Sequence, residues 1–164
     1  MKNREYIYKI TSIVLIIDQI IKLLINNNMK LYQQIKIIPN FFTIFYVKNT
    51  GAAFSILEDS TIFLTIISVV FIVILDRMIK KEKKFTKLSA ISLGMIMGGI
   101  FGNLIDRIIH HAVIDYLSFK IISYEFPVFN VADIGITVGV VLLIIDMFLE
   151  KKENGRRNII RDNK

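Results

Sequence analysis

Long apolar runs alternate with short polar and charged segments along the chain. Four of these runs approach the roughly 20 helical residues that a bilayer crossing requires. They cover about Tyr6–Ile25, Ser60–Ile79, Leu88–Ile109 and Phe126–Leu149. The pattern therefore predicts an all-α membrane protein, built as a four-transmembrane-helix bundle in a single domain over residues 1–150.

The composition supports a membrane protein and argues against a nucleic-acid-binding one. Hydrophobic residues make up 54% of the chain, and the mean hydropathy is +0.55. The net charge of +7 comes from Lys and Arg in short blocks between the apolar runs, which is typical of topology signals rather than of a basic binding face. No nucleic-acid partner is expected. Because the chain has no cysteine, disulfides, thiolate metal sites and a cysteine nucleophile are excluded.

Positive charges predict the orientation of the bundle. Most of the 21 Lys and Arg residues precede the first run, separate the second from the third, or follow the fourth, and such residues stay on the cytoplasmic side. Both termini should therefore be cytoplasmic, with residues 26–59 and 110–125 outside and residues 151–164 forming a flexible basic tail. The first run follows a basic segment, as in a signal peptide. Asp18 and Lys22 interrupt it without a small-residue cleavage site, so a retained span is expected.

The two outer segments carry signals for strands. Ile37–Val47 is rich in β-branched and aromatic residues, which favours a strand or small sheet at the outer surface. Lys48–Gly51 has the composition of a turn, Ala52–Leu57 is expected to begin a short interfacial helix, and Tyr116–Phe126 is expected to add a strand. The bundle should thus carry a small extracytoplasmic β-cradle and a short interfacial helix.

Gly94, Gly98 and Gly102 recur at four-residue spacing in the third run. Positions four apart lie on one face of a helix, and small residues there let helices approach closely in lipid. Helix packing is therefore the preferred interpretation of these glycines.

Polar residues inside the apolar runs share one depth. At 1.5 Å per helical residue, Asp18, Asn103 and Asp133 all lie roughly 10 Å below the predicted outer surface. Ionisable groups inside spans are costly, face the bundle interior and usually mark function. A polar pocket in the outer leaflet is therefore expected. The helix faces that point into this pocket also carry Asp106, Arg107 and Asn130.

Asp115 and Asp133 are the candidate catalytic pair, since no cation lies close to either in the sequence. Two neighbouring carboxylates cannot both ionise cheaply, so they share a proton at moderate pH. The ionised member can then take a proton from a water while the protonated member polarises a carbonyl, which is general acid–base hydrolysis without a covalent intermediate. For Asp106 and Arg107, an ion pair that only braces the bundle is an equally good interpretation.

Rival functions fit the sequence less well. A serine hydrolase would need a GxSxG elbow, which is absent. A zinc site at His110 and His111 lacks HExxH spacing, so these are interpreted as surface histidines and no metal or other cofactor is expected. A small transporter could use Asp18 or Asp133 as a proton relay, but it would not require the long outer segment or its turn.

Five motifs match a known family in order along the chain. They are Asp18-Gln19-x-x-Lys22, KNTGAAFSIL at Lys48–Leu57, GNLIDR at Gly102–Arg107, VIDY around Asp115 and FNVAD ending at Asp133. Together they resemble the bacterial lipoprotein signal peptidases (signal peptidase II). Tyr116 stands where Phe is expected in VxDF, a mild departure that leaves the acidic pair untouched.

The resemblance implies an intramembrane aspartic endopeptidase of the bacterial cytoplasmic membrane, with its active site near the outer leaflet. Such enzymes remove signal peptides from prolipoproteins by cutting before a diacylglyceryl-modified cysteine, with Asp115 and Asp133 as the dyad. Arg107 would either hydrogen-bond a substrate carbonyl or orient a carboxylate. The implied partners are diacylglyceryl-prolipoprotein substrates, membrane lipid and globomycin-type inhibitors, with the protein as a monomer. The residues implied to bind substrate or support the dyad are Asp18, Lys22, Asn49, Gly51, Asn103, Asp106, Arg107, Asn130 and Ala132.

Overall fold

The computed structural model describes residues 3–51, 60–82 and 84–162, with side chains described as far as Lys151. The described helices are α1 (Arg4–Asn28), α2 (Thr61–Lys81), α3 (Lys87–His110) and α4 (Val131–Asp162). The described strands are β1 (Gln34–Ile38), β2 (Phe42–Asn49), β3 (Val113–Ile121) and β4 (Tyr124–Glu125). Two strands follow α1, two follow α3, and α2 and α3 are consecutive.

Each predicted apolar run coincides with one helix, but not every helix has the character of a span. Among the described residues, α1 carries Asp18 and Lys22 inside its apolar run and is not one of the helices that are long and apolar enough to cross a membrane. The four-span count therefore stays a prediction. The tail predicted as flexible from residue 151 is helical as far as Asp162. The helices that do qualify cover Thr61–Lys81, Lys87–His110 and Val131–Lys151.

The fourth helix begins later than predicted, at Val131 rather than Phe126. The residues before it run beside β3, where the backbone N–H of Phe129 donates to the carbonyl of Leu117 at 3.1 Å. The apolar run thus contains an extended stretch followed by a helix. Because both parts are apolar, hydropathy does not separate them.

Close packing places α3 at the centre of the bundle, with its most extensive contacts to α1 and α4. A Cβ at Gly94 would lie 2.7 Å from the carbonyl oxygen of Ile7, and one at Gly98 would lie 2.8 Å from that of Thr11. Any larger residue would push α1 away from α3. The predicted packing role of these glycines is therefore confirmed.

The strands form one antiparallel sheet in the order β1-β2-β3-β4. The predicted strand Ile37–Val47 is the hairpin of β1 and β2, and the predicted strand Tyr116–Phe126 corresponds to β3 and β4. Because β3 already begins at Val113, Asp115 lies inside it. The interfacial helix expected at Ala52–Leu57 lies outside the described residues.

A buried cluster fixes the sheet on one end of the bundle. His111, in the left-handed region at φ 54°, ends α3 and turns the chain into β3. Burial of the cluster's apolar side chains holds β3 over the helix ends, where Asp115 bonds to Asn130 at the start of α4. The cluster consists of Tyr46, Ile114 and Tyr116, packed against Ile21, Ile25 and Met29 near the end of α1.

Candidate active site

Asp115 and Asp133 line one cavity of about 610 Å³. Asp115, on β3, is 2% exposed, and Asp133, in the first turn of α4, is half-buried. A few polar groups in a mostly apolar wall suit a ligand with a polar main chain and apolar side chains. The apolar part of the wall includes Ile100, Phe126, Val128, Ile134, Ile136 and Val138.

Every oxygen of the two carboxylates accepts an amide N–H. For Asp115, Oδ2 accepts from Asn49 Nδ2 at 3.0 Å and Oδ1 from Asn130 Nδ2 at 2.6 Å. For Asp133, Oδ1 accepts from Asn103 Nδ2 at 2.8 Å and Oδ2 from the backbone N–H of Asn130 at 3.2 Å. These bonds come from β2, α3 and the start of α4, and they fix the orientation of both carboxylates.

The start of α4 is closed by a reciprocal cap that contains a carboxylate of the pair. Asn130 Oδ1 accepts from the backbone N–H of Asp133 at 3.0 Å, while Asp133 Oδ2 accepts from the backbone N–H of Asn130. This is the capping-box arrangement, here with Asn and Asp in its two positions. A carboxylate there is stabilised by the positive end of the helix dipole. Because Asn130 also bonds to Asp115, it couples the two carboxylates.

The backbone N–H groups of Val131 and Ala132, which lie between Asn130 and Asp133, also have partners. The backbone N–H of Ala132 donates to Asp18 Oδ1 at 2.8 Å, and that of Val131 donates to the Tyr116 hydroxyl at 3.4 Å. A Cβ at Gly102 would overlap the Asp18 carboxylate, so this glycine gives room to a polar contact as well as to helix packing. Asp18 thereby ties α1 to the helix that carries Asp133.

Lys22 is the hub of a buried polar network beneath the acidic pair, and it is 2% exposed. Its Nζ lies 2.8 Å from Asp18 Oδ2, 2.9 Å from Asp106 Oδ2 and 2.9 Å from Asn103 Oδ1. Three acceptors match the three N–H groups of an ammonium. Because the Lys22 bond fixes Asn103 Oδ1, the NH₂ group of Asn103 must face Asp133.

Asp106 has a different partner from the one that the sequence suggests. The interpretation as a bracing ion pair with Arg107 named the wrong cation, because Asp106 pairs with Lys22. Asp106 also accepts from the backbone N–H of Ile114 at 3.0 Å, directly before Asp115, and from Gln19 Nε2 at 3.1 Å. The contribution of Gln19 was not predicted, although the residue lies within the Asp18 motif.

Arg107 and Gly51 close the side of the site nearest β2. The Arg107 Nη2 donates to the carbonyl of Gly51 at 3.4 Å, and the Arg107 Nε is buried without a hydrogen-bond partner among the described residues. The predicted turn at Lys48–Gly51 overlaps the end of β2, which runs to Asn49. Asn49 Oδ1 accepts from the Gly51 N–H at 2.9 Å. That bond directs the Asn49 NH₂ group toward Asp115.

The environment of Asp115 favours its protonated form. Burial raises the pKa of Asp115 from 3.8 to about 7, with a further contribution from the nearby charge of Asp133, against the hydrogen bonds from Asn49 and Asn130. At neutral pH this carboxyl therefore still binds a proton that an ordinary Asp has lost.

All the residues implied by the resemblance meet in this one network or at its cavity, although they come from α1, β2, α3, β3 and α4. His110 and His111 lie at the end of α3 and are not part of it. Within the described ranges, no group of three or more His, Asp and Glu side chains is arranged to hold a metal ion.

Comparison with known proteins agrees with the geometry. A family model described as signal peptidase (SPase) II matches residues 10–149. A bacterial membrane enzyme structure determined by the in meso method at 2.3 Å matches with a TM-score of 0.81 and 32% identity, covering 88% of each chain. A second such structure, at 1.9 Å, matches with a TM-score of 0.76 and 33% identity, covering 84% of this chain and 89% of the other. The chain therefore belongs to the signal peptidase II family, the membrane-bound aspartic endopeptidases that cleave signal peptides from lipoproteins.

Proposed function

We propose that Asp115 and Asp133 are the catalytic dyad of an intramembrane endopeptidase that cuts diacylglyceryl-modified prolipoproteins just before the lipidated cysteine. One observation carries the proposal: the two carboxylates share a cavity, and each of their oxygens is held by an amide N–H. Acids fixed in this way need little rearrangement during a reaction, which is the basis of preorganised catalysis.

We assign different roles to the two acids because their surroundings differ. Asp133, at the positive end of α4, is the base that takes a proton from water. Asp115, with a pKa of about 7, donates its proton to the carbonyl oxygen as the water oxygen attacks the carbonyl carbon. The product of this attack is a tetrahedral intermediate with two hydroxyl groups. When its C–N bond breaks, Asp133 gives its proton to the leaving nitrogen and Asp115 recovers a proton from one of the hydroxyl groups. The dyad returns to its starting state, and one water is consumed.

Arg107 is assigned to the substrate rather than to the dyad. No hydrogen bond or ion pair joins it to Asp115 or Asp133 among the described residues, and its Nε lacks a partner. A guanidinium in a cavity wall can donate to a peptide carbonyl, which otherwise loses its hydrogen bonds when it leaves water. Substrate and a globomycin-type inhibitor would compete for this cavity.

Four membrane spans remain the proposed topology, with both termini in the cytoplasm and the dyad near the outer leaflet. The charges of α1 are the main obstacle, since buried ions in lipid are costly. This cost is offset inside the bundle, where the ammonium of Lys22 pairs with the carboxylates of Asp18 and Asp106. Lipid would contact exposed apolar side chains such as Ile62, which is 78% exposed. Residues 1–150 form one domain, which acts as a monomer in a bacterial cytoplasmic membrane.

The test is a gel-shift assay on purified protein in lipid micelles. A diacylglyceryl-prolipoprotein should be shortened to a product that begins at the lipidated cysteine, and globomycin should block the shift. The same precursor with Ser in place of that cysteine cannot carry the lipid and should not be cut. Equal cleavage of the two precursors would contradict the proposed substrate.

A further inference from the structure

The stretch Phe126–Phe129 is tied to β3 at both of its ends. The backbone N–H of Phe126 donates to the carbonyl of Phe119 at 2.9 Å. Phe129 exchanges two backbone hydrogen bonds with Leu117, at 3.1 and 2.8 Å. These anchors hold the stretch as an extended chain along the cavity wall.

Between the anchors, main-chain groups are left unpaired. In the described part of the chain, no hydrogen bond involves the N–H or the C=O of Val128. Val128 is half-buried and lines the same cavity as Asp115 and Asp133. Pro127 has no N–H to donate and interrupts regular pairing with β3. Buried backbone N–H and C=O groups almost always have hydrogen-bond partners. The main chain of Val128 is therefore suited to pair with a bound peptide.

A peptide that reaches the dyad also has main-chain groups that need hydrogen-bond partners. Its own N–H and C=O groups must be satisfied in mostly apolar surroundings. One residue of an extended peptide presents both groups on one side, and these can pair with the N–H and C=O of a single residue at a strand edge.

The position of Val128 along the chain fits a contact close to the scissile bond. Val128 is two residues before Asn130, the residue that bonds both carboxylates. Two residues of extended chain span roughly 7 Å. A substrate residue paired with Val128 would therefore lie within two or three residues of the bond that the dyad attacks.

We propose that the signal-peptide substrate binds as a short extended strand, with one of its residues exchanging two main-chain hydrogen bonds with Val128. This inference rests on the proposed function and adds how the peptide is aligned. The contact uses no substrate side chain, so it accepts different sequences. Val128 is a positioning residue that holds the scissile carbonyl over the dyad.

The test replaces single amides of a synthetic lipopeptide substrate by esters, which removes one N–H at a time. With the wild-type protein, one position within three residues of the cleavage site should lower kcat/KM about five- to tenfold, as expected for one lost hydrogen bond. Val128→Pro, which removes the backbone N–H at that position, should lower kcat/KM for the all-amide substrate. Its effect and that of the critical ester should not be additive, because both disturb one contact. Val128→Ala keeps its N–H and should keep the full ester effect.

The outcomes separate this inference from the dyad. A flat ester scan, or fully additive effects of the ester and Val128→Pro, would overturn the strand pairing while leaving the dyad intact. If Val128→Pro does not accumulate as folded protein, the ester scan on the wild type decides alone. Normal cleavage by Asp115→Asn would instead contradict the proposed function itself.

Discussion

Replacing Asp115 by Asn should make the free energy of unfolding less dependent on pH between pH 5 and pH 8. The pKa of Asp115 is raised from 3.8 to about 7 by burial and by the charge of Asp133. A raised carboxyl pKa means that the folded state holds the proton more tightly than the unfolded state. The resulting stability is present below pH 4 and is lost as the pH rises through 7.

The size of this effect follows from the pKa shift. The difference between 3.8 and about 7 corresponds to about 4 kcal/mol in the free energy of unfolding. About 3 kcal/mol of this contribution is still present at pH 5 and almost none at pH 8. The wild type should therefore lose about 3 kcal/mol more than Asp115→Asn between these two pH values. The amide introduced by this substitution cannot ionise, so the variant lacks the contribution at both pH values.

The assay is chemical unfolding of the purified protein in detergent micelles at pH 5 and pH 8. Glu125→Gln is the matched control, since Glu125 is an exposed carboxylate on β4 of the same sheet, and it should behave as the wild type. If the wild type and Asp115→Asn lose the same free energy of unfolding between the two pH values, Asp115 is not a buried carboxyl coupled to Asp133.

The remaining predictions concern the supporting network and the metal. Lys22→Met should lower the free energy of unfolding by about 3–5 kcal/mol, because it leaves Asp18 and Asp106 buried without their cation. The control Lys36→Met, at an exposed position, should change it by no more than about 0.5 kcal/mol. Similar melting temperatures for the two variants would contradict the role of Lys22 as the hub of the network. Gly102→Ala should lower the free energy of unfolding by about 1–3 kcal/mol, because the added methyl group pushes the Asp18 carboxylate away from the start of α4. An unchanged melting temperature would show that the Asp18 carboxylate can move aside at no cost. EDTA should leave cleavage unchanged, since the hydrolysis is assigned to two carboxylates; loss of cleavage would favour a metal near His110.

The sequence predicts which residues meet, but it does not predict how they pair. Periodicity places Asn103 on an inward face of α3, and depth sets it level with Asp133. The bond from Lys22 to Asn103 depends on the rotation of α1 against α3, which is set by close contacts at the glycines. That rotation is a tertiary property without a local pattern. For the same reason the sequence suggests Arg107, the neighbour of Asp106, as its ion-pair partner rather than the remote Lys22.

The start of α4 is more predictable than hydropathy suggests. The apolar run from Phe126 hides a change from extended chain to helix. Pro127 disfavours a helical conformation at the residue before it. Asn130 followed by Asp133 has the spacing of a capping box, which marks Val131 as the first helical residue. The helix cap, rather than hydrophobicity, therefore predicts where α4 begins and so where the Asp133 carboxylate lies.

The two acids can be compared most directly by single-turnover cleavage of a diacylglyceryl-prolipoprotein by Asp115→Asn and Asp133→Asn. Asp76→Asn is the control, since Asp76 lies on α2 and bonds to Tyr8 and Lys80 instead of the network. Both dyad variants should accumulate in the membrane and show no cleavage, while the control keeps the wild-type rate. Wild-type cleavage by either dyad variant would contradict the assignment of Asp115 and Asp133 as the catalytic pair.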